Sequence, residues 1–284
     1  MKNLLNRWLA RSAPVPAPTL AFELGLALHT DVGPVREHNE DCIAALDGGG
    51  RGALVALADG MGGHQAGELA SRLAVQAALR AFEGNVTRPG TAERLHAALA
   101  AANDAVFRQA RQDARWQGMG TTLLLLAPTA RGYWFGWVGD SRLYLCRGGS
   151  LVLLTRDDTL VRGLLERGLI GEADLSGHPD RSVLTQAVGT HATIPSPHVL
   201  GPFDLVPGDR FLLCSDGVHD VVPPDDLALA LQAPSAQQAM RAVHAAALHH
   251  GADDNLSIGV VDIRVPQAAA LPPRRTRTDV EVLS

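Results

Sequence analysis

Four aspartates stand in the same local setting, at the end of a short apolar run or just before one, with small or turn-forming neighbours: Leu57-Ala58-Asp59-Gly60, Val138-Gly139-Asp140-Ser141, Cys214-Ser215-Asp216-Gly217 and Asp253-Asp254-Asn255-Leu256. Small neighbours let a backbone bend sharply and approach a ligand, so strand ends of this kind can aim several carboxylates at one point. Carboxylates held that close raise each other's pKa or recruit a cation. An all-oxygen donor set selects hard divalent ions, Mg²⁺ or Mn²⁺, over zinc. A single such aspartate is by default a strand or turn cap; four with matching flanks favour ligation. The stretch Thr30 to Asp41 adds Arg36, Glu40 and Asp41. A planar guanidinium such as that of Arg36 can grip two phosphate oxygens at once.

The elements that must carry these residues are legible from periodicity. Ala66 to Phe82, Ala92 to Arg115, Thr159 to Leu175 and Ala236 to His250 are rich in alanine and leucine at three- and four-residue spacing, which predicts amphipathic helices. Ala53 to Ala58, Thr121 to Ala127, Tyr133 to Val138, Leu143 to Cys146, Arg210 to Cys214 and Leu256 to Ile263 are short, apolar and bounded by Gly, Pro or Asp, as strands are. Short turns at Pro128 to Gly132 and at Gly148-Gly149 favour antiparallel pairing. The expected class is α+β, a β-sandwich of two antiparallel sheets flanked by helices. Residues 22–264 are expected to form one catalytic domain, with residues 1–21 and 265–284 as an N-terminal linker and a flexible C-terminal tail.

Composition excludes several chemistries. Lys2 is the only lysine. P-loop NTPases, protein kinases and Schiff-base enzymes each need an internal lysine at the reacting centre. A net charge of −5 without a basic cluster argues against nucleic acid and anionic membrane as partners. No run approaches the ~20 apolar residues of a membrane helix, and no signal peptide is read. Cys42, Cys146 and Cys214 show no pairing pattern, which fits a reducing cytoplasm.

The motifs Arg36-x-x-Asn39-Glu40-Asp41, Asp59-Gly60-Met61-Gly62-Gly63-His64, Gly139-Asp140-Ser141-Arg142, Ser215-Asp216-Gly217 and Asp254-Asn255 resemble, in order, those of the metal-dependent protein phosphatases of type 2C, and of their bacterial branch in particular. The resemblance continues through Gly67-Glu68, Gly118 to Thr122 and Leu184 to Gly189, and covers nearly everything from Thr30 to Val261. It implies two packed antiparallel sheets flanked by helices and a binuclear Mn²⁺ or Mg²⁺ centre. Asp59 would bridge the ions, the Gly60 carbonyl and Glu40 would complete one, and Asp216 and Asp254 would hold the other, with Asp41 supporting. Asp140 with Asp216 would hold a third, weaker ion. A water bridging two ions would attack phosphorus in line while Arg36 holds the phosphoryl oxygens, without a phosphoenzyme. The implied activity is hydrolysis of phosphoserine and phosphothreonine, and the implied partners are phosphoproteins, including a Ser/Thr kinase and its substrates. The alternatives are an inactive phosphoprotein-binding module of the same fold, which the retained acids disfavour, and a hydrolase of small phosphate esters.

Two departures from the family pattern stand out. Met61 occupies the place of a histidine proposed as general acid in eukaryotic relatives, which leaves His64 or a metal-bound water as candidates. Asp158 follows Asp157 where the family shows a histidine, either as a change in substrate docking or as a neutral surface change. His244, His249 and His250 are read as cations meeting a helix C-terminus, and Cys214 as a small buried side chain.

Overall fold

The computed structural model describes residues 22–47, 53–63, 65–84, 90–175 and 177–265. One sheet runs in the order β1 (Glu23–Asp31), β11 (Leu256–Arg264), β10 (Arg210–Cys214), β7 (Arg142–Arg147), β8 (Ser150–Leu153). The other runs β2 (Asp41–Leu46), β3 (Leu54–Met61), β5 (Leu123–Thr129), β6 (Gly132–Val138), β9 (His198–Phe203), and β4 (Gly120–Thr121) pairs with the end of β3. Neighbouring strands are antiparallel throughout.

The near-continuous apolar strands follow from burial on both faces. In β3, Leu54, Ala56 and Ala58 face helices, while Val55 and Leu57 face the opposite sheet; β5 repeats this with Leu123 and Leu125 against Leu124 and Leu126. A side-chain period of two therefore sends alternate residues into two different cores. The layer between the sheets holds Tyr133, Phe135, Trp137, Phe211, Val261 and Ile263 among others. Helices α1 (Gln65–Gly84) and α2 (Thr91–Ala110) cover the sheet that contains β3. Alanines 66, 70, 74 and 78 and then Phe82 recur at every fourth position of α1 and are buried, and these small side chains let it lie close against β3. The opposite sheet is covered by α4 (Asp216–His219), α5 (Pro224–Ala230) and α6 (Ala236–His249). The architecture is the expected αββα sandwich.

Two helices are shorter than expected. The 92–115 helix stops at Ala110, because Asp113 takes an extended conformation and its carboxylate accepts from the Arg115 backbone N–H, starting a separate turn over Ala114–Trp116. In 159–175 only α3 (Leu160–Glu166) is α-helical, capped by Thr159. Gly168 then takes a φ of 68°, which a glycine adopts cheaply, and ends it. Among the described residues, no helix is long and apolar enough to cross a membrane. Apart from Val265, the expected tails lie outside the described residues, as does His64.

Candidate metal centre

The acids collect at one end of the sandwich, where strands from both sheets finish. Asp41 begins β2 and stands directly across from Asp59 near the end of β3. Asp140 sits in the turn between β6 and β7, Asp216 opens α4 just after β10, and Asp254 precedes β11. The β10–β11 pairing extends into the site, with the Ser215 N–H donating to the Ser257 carbonyl at 3.2 Å. Asp59, Asp140 and Asp216 line one cleft of about 310 Å³, together with Met61, Thr122, residues 184–187, Thr190 and His191. A larger hollow of about 570 Å³ lies alongside and shares Thr190, but Asp113 is the only acid lining it. The carboxylate chemistry therefore belongs to the smaller cleft.

The electrostatics record the crowding. Burial first, then the charges of Asp41, Asp216 and Asp140, hold the Asp59 carboxyl well above its ordinary pKa. Burial, then Asp216 and Asp157, raise Asp140 in the same way. Asp216 is raised by burial and by Asp254, with His219 opposing. Asp41 is pushed up to about 7 by burial, against a hydrogen bond from the Ser215 hydroxyl at 2.7 Å. Carboxylates in this state lack a compensating positive charge, and their oxygen-only donor set fits a hard divalent cation.

The backbone around the cluster is closely specified. A side chain on Gly60 would meet the Gly67 carbonyl at 2.1 Å, and one on Gly67 would meet Glu40 Oε2 at 1.9 Å. Glycine at both positions lets the start of α1 press Glu40 against the end of β3. The Gly60 N–H donates to the Glu40 carbonyl at 3.1 Å. Asn255 joins three segments: its amide donates to the Val32 and His38 carbonyls at 2.8 and 2.9 Å, and its Oδ1 accepts from the Glu40 N–H at 2.8 Å. The Thr122 hydroxyl accepts from the Asp59 N–H at 2.9 Å and meets Ser141 at 2.7 Å. His219, buried in α4, lies 3.0 Å from the Asp140 carbonyl. Of these, the connecting role of Asn255, the Thr122–Ser141 bond and His219 escaped the sequence reading; Asn255, Thr122 and Ser141 stood within the motifs without a role, and His219 only lay near Asp216.

Arg36 reaches the cluster, where its Nη2 donates to Asp254 Oδ2 at 2.7 Å. It thus contacts an expected ligand at a half-exposed position, with about 51% of its side chain open to solvent. Asp158 differs from one of its two expected roles. It is buried, so a neutral surface change does not describe it. Its Oδ2 accepts from the Gly139 N–H at 3.0 Å and from Gln186 Nε2 at 2.7 Å, and its Oδ1 lies 3.0 Å from His198 Nε2. The His198 ring stacks on Trp137 at 4.3 Å. Asp158 therefore fixes the residue preceding Asp140 and also the cleft wall at Gln186. Arg142 binds the neighbouring Asp157 through two nitrogens, at 3.1 and 2.7 Å. His250, at the C-terminal end of α6, pairs with Asp226 at 2.8 Å, whereas His244 lies more than a turn inside the helix and pairs with Asp31 at 2.8 Å, so it meets a carboxylate in place of the expected helix end. Cys214 is fully buried, which pushes its thiol up to about 12 and leaves it inert as a nucleophile.

Fold and site together define a four-layered αββα sandwich with a cluster of buried carboxylates at one end, a donor set that suits hard divalent cations. The chain belongs to the protein phosphatase 2C family, whose model matches residues 35–257. It is 38% identical over 240 residues to the serine/threonine protein phosphatase PstP of Mycobacterium tuberculosis, covering 84% of this chain and 45% of that protein. It thus spans about half the length of that curated relative. It is 32% identical over 243 residues to the serine/threonine phosphatase stp of Listeria welshimeri, covering 84% of this chain and 95% of that protein. The crystal structure of the catalytic domain of PstP in complex with two manganese ions superposes with a TM-score of 0.74 at 35% identity, covering 86% of this chain and 99% of that one.

Proposed function

We propose that this chain is a metal-dependent protein phosphatase that hydrolyses phosphoserine and phosphothreonine in other proteins. The observation that carries the reading is the meeting of Asp41, Asp59, Asp140 and Asp216 at one end of the sandwich with their pKa values raised together. Asp59, the Gly60 carbonyl, Glu40, Asp216 and Asp254 would hold two divalent cations, Mn²⁺ or Mg²⁺, and Asp140 with Asp216 would hold a third. A relative that binds two manganese ions supports the pair. Such cations acidify water and neutralise charge on phosphoryl oxygens. The chain's own groups orient and exclude: Asp41 is fixed by Ser215, the loop that carries Asp140 is fixed by Asp158, and residues 184–187 wall the cleft. Arg36, whose Nη2 donates to Asp254, keeps further N–H groups with which it would grip the phosphoryl oxygens by two parallel hydrogen bonds.

The partners are phosphoproteins, with a Ser/Thr kinase and its targets as the natural set, and the unpaired cysteines fit a reducing cytoplasm. The test is steady-state hydrolysis by the full chain of a phosphothreonine peptide, a phosphotyrosine peptide and free phosphoserine. A higher kcat/KM for the phosphothreonine peptide than for the other two supports protein dephosphorylation. Equal values for the peptide and free phosphoserine would make it a hydrolase of small esters, and no hydrolysis of any would leave a binding module.

A further inference from the structure

Outside the carboxylate cleft, two imidazoles and a carboxylate meet on the outer face of the five-stranded sheet. His29 and Asp31 lie two residues apart on β1 and so point to the same face, opposite Ile258 and Leu256 of β11. His244 approaches from α6, whose buried stripe of Ala239, Met240, Val243 and Ala247 packs it onto that sheet. His244 Nε2 is 2.8 Å from Asp31 Oδ2, and His29 Nε2 is 3.9 Å from the same oxygen. The two rings meet edge to face at 4.7 Å. One ligand atom from each of the three residues lies within 4.8 Å of the others.

We propose that His29, Asp31 and His244 form a second metal site, distinct in chemistry from the carboxylate centre, that takes a borderline transition ion such as Zn²⁺. The Asp31–His244 hydrogen bond and the edge-to-face ring contact bring the three residues together, but neither engages His29 Nε2 with the carboxylate oxygen it faces at 3.9 Å; a shared cation would. Two nitrogens and one oxygen suit zinc or cobalt, whereas Mg²⁺ and Mn²⁺ prefer oxygen alone. Tetrahedral zinc bonds of about 2.0–2.2 Å place donor atoms roughly 3.3–3.5 Å apart, so the His244–Asp31 contact would open by about 0.5 Å while His29 closes on the other two by about 0.5–1.5 Å. Asp31 is already oriented, because its Oδ1 accepts from the Gly33 N–H at 3.0 Å. The site is part-exposed, with side-chain exposures of 37%, 33% and 21% for His29, Asp31 and His244, which leaves a fourth position for water. An ion there ties α6 to β1 at the head of the segment that carries Arg36 and Glu40. Gly33, held by Asp31, lies against the Asp254 carbonyl, which a side chain at that glycine would meet at 2.1 Å.

The test is equilibrium dialysis of the full chain against Zn²⁺ with Mg²⁺ in large excess to supply the carboxylate cleft, comparing wild type with His29→Gln and His244→Gln. Wild type should hold one more zinc per chain than either variant, or hold it more than about tenfold more tightly. Co²⁺ in place of zinc should give a visible band of imidazole-bound cobalt that both variants lose. Phosphate release with Mn²⁺ should be unchanged in His29→Gln, which keeps the Asp31–His244 hydrogen bond and so controls for folding. Equal zinc number and affinity in all three proteins would place the zinc in the carboxylate cleft and overturn the proposal, as would absence of zinc from wild type.

Discussion

Asp216 is linked to every other aspartate of the proposed centre: its charge bears on Asp41, Asp59 and Asp140, and Asp254 bears on it in turn. Asp216→Asn keeps the shape and removes a ligand charge. Loss of outer-shell partners already lowers metal affinity by about 10–100-fold, so this variant should bind Mn²⁺ at least that much more weakly and lose turnover while its melting curve remains cooperative. Calorimetric titration of Mn²⁺ beside a phosphatase assay reads both, and unchanged affinity would sink the assignment. The same acids predict a pH dependence for the metal-free protein. A carboxyl whose pKa rises on folding adds stability that is full below its unfolded pKa and is lost as pH climbs through the folded one. Asp41 spans the window from about 4 unfolded to about 7 folded, and Asp59, Asp140 and Asp216 shift in the same direction. Asp31, Asp220 and Asp262 are lowered, and act below that window. Melts of chelator-treated protein should therefore show the melting temperature falling from about pH 4 to pH 7, with Mn²⁺ abolishing the fall; a rise over that range would contradict the clustering. At this scale the acids were legible because the same setting, a carboxylate beside a small residue at a strand end, recurs four times, whereas any one of them alone reads as a cap. Asn255 and His219 were not, because what they do depends on carbonyls that only the fold brings near.

Helix α1 and strand β3 meet through two glycines, and that contact decides where Glu40 stands. Gly67→Ala places a methyl group against the Glu40 carboxylate, so it should weaken Mn²⁺ binding while leaving the helix intact; metal titration followed by circular dichroism of the variant distinguishes the two effects. Gly60→Ala meets a backbone carbonyl in place of a side chain, and overpacking of that kind costs about 1–3 kcal/mol, measurable as an earlier denaturant midpoint. The loop that follows β8 makes the parallel case. Asp158→Val strands the Gly139 N–H and takes one acceptor from Gln186, which keeps the Ser196 carbonyl, and an unsatisfied buried donor costs about 1–3 kcal/mol. That variant should lose stability and also lower turnover, because Gly139 precedes Asp140; full turnover with reduced stability would confine Asp158 to a structural role. Elements with strong periodicity, α1, α6 and the two-faced strands β3, β5, β10 and β11, were readable in the sequence. Strands β1, β2, β8 and β9 were not: β2 is largely half-buried, β9 is divided between half-buried and exposed positions, β8 is mostly exposed, and β1 mixes polar and apolar residues, so none shows the apolar run that marks a central strand. The glycines of 159–175 were hidden inside an alanine- and leucine-like pattern that looked helical.

Taken whole, the molecule is a sandwich whose inter-sheet layer holds rigid the ends of strands that carry the acids. Phe211 lies fully buried in that layer, edge-on to Tyr133 at 4.8 Å. Phe211→Ala should cost about 3–5 kcal/mol in denaturant unfolding, and because it touches no expected ligand, the folded fraction should keep its metal preference. Sheet order and pairing were only partly foreseeable, since a sandwich can be threaded in many ways that bury the same faces, whereas the class followed from strands apolar on both sides between amphipathic helices. The central claim joins all three scales: acids from both sheets form one oxygen-only metal centre that hydrolyses a phosphorylated side chain. Its most direct test is phosphate release from a phosphothreonine peptide by chelator-stripped full-length protein, with Mn²⁺, Mg²⁺ and Zn²⁺ added back separately. Restoration by Mn²⁺ or Mg²⁺, with Zn²⁺ failing to replace them, is the predicted result; activity that survives stripping, or that no metal restores, would contradict it.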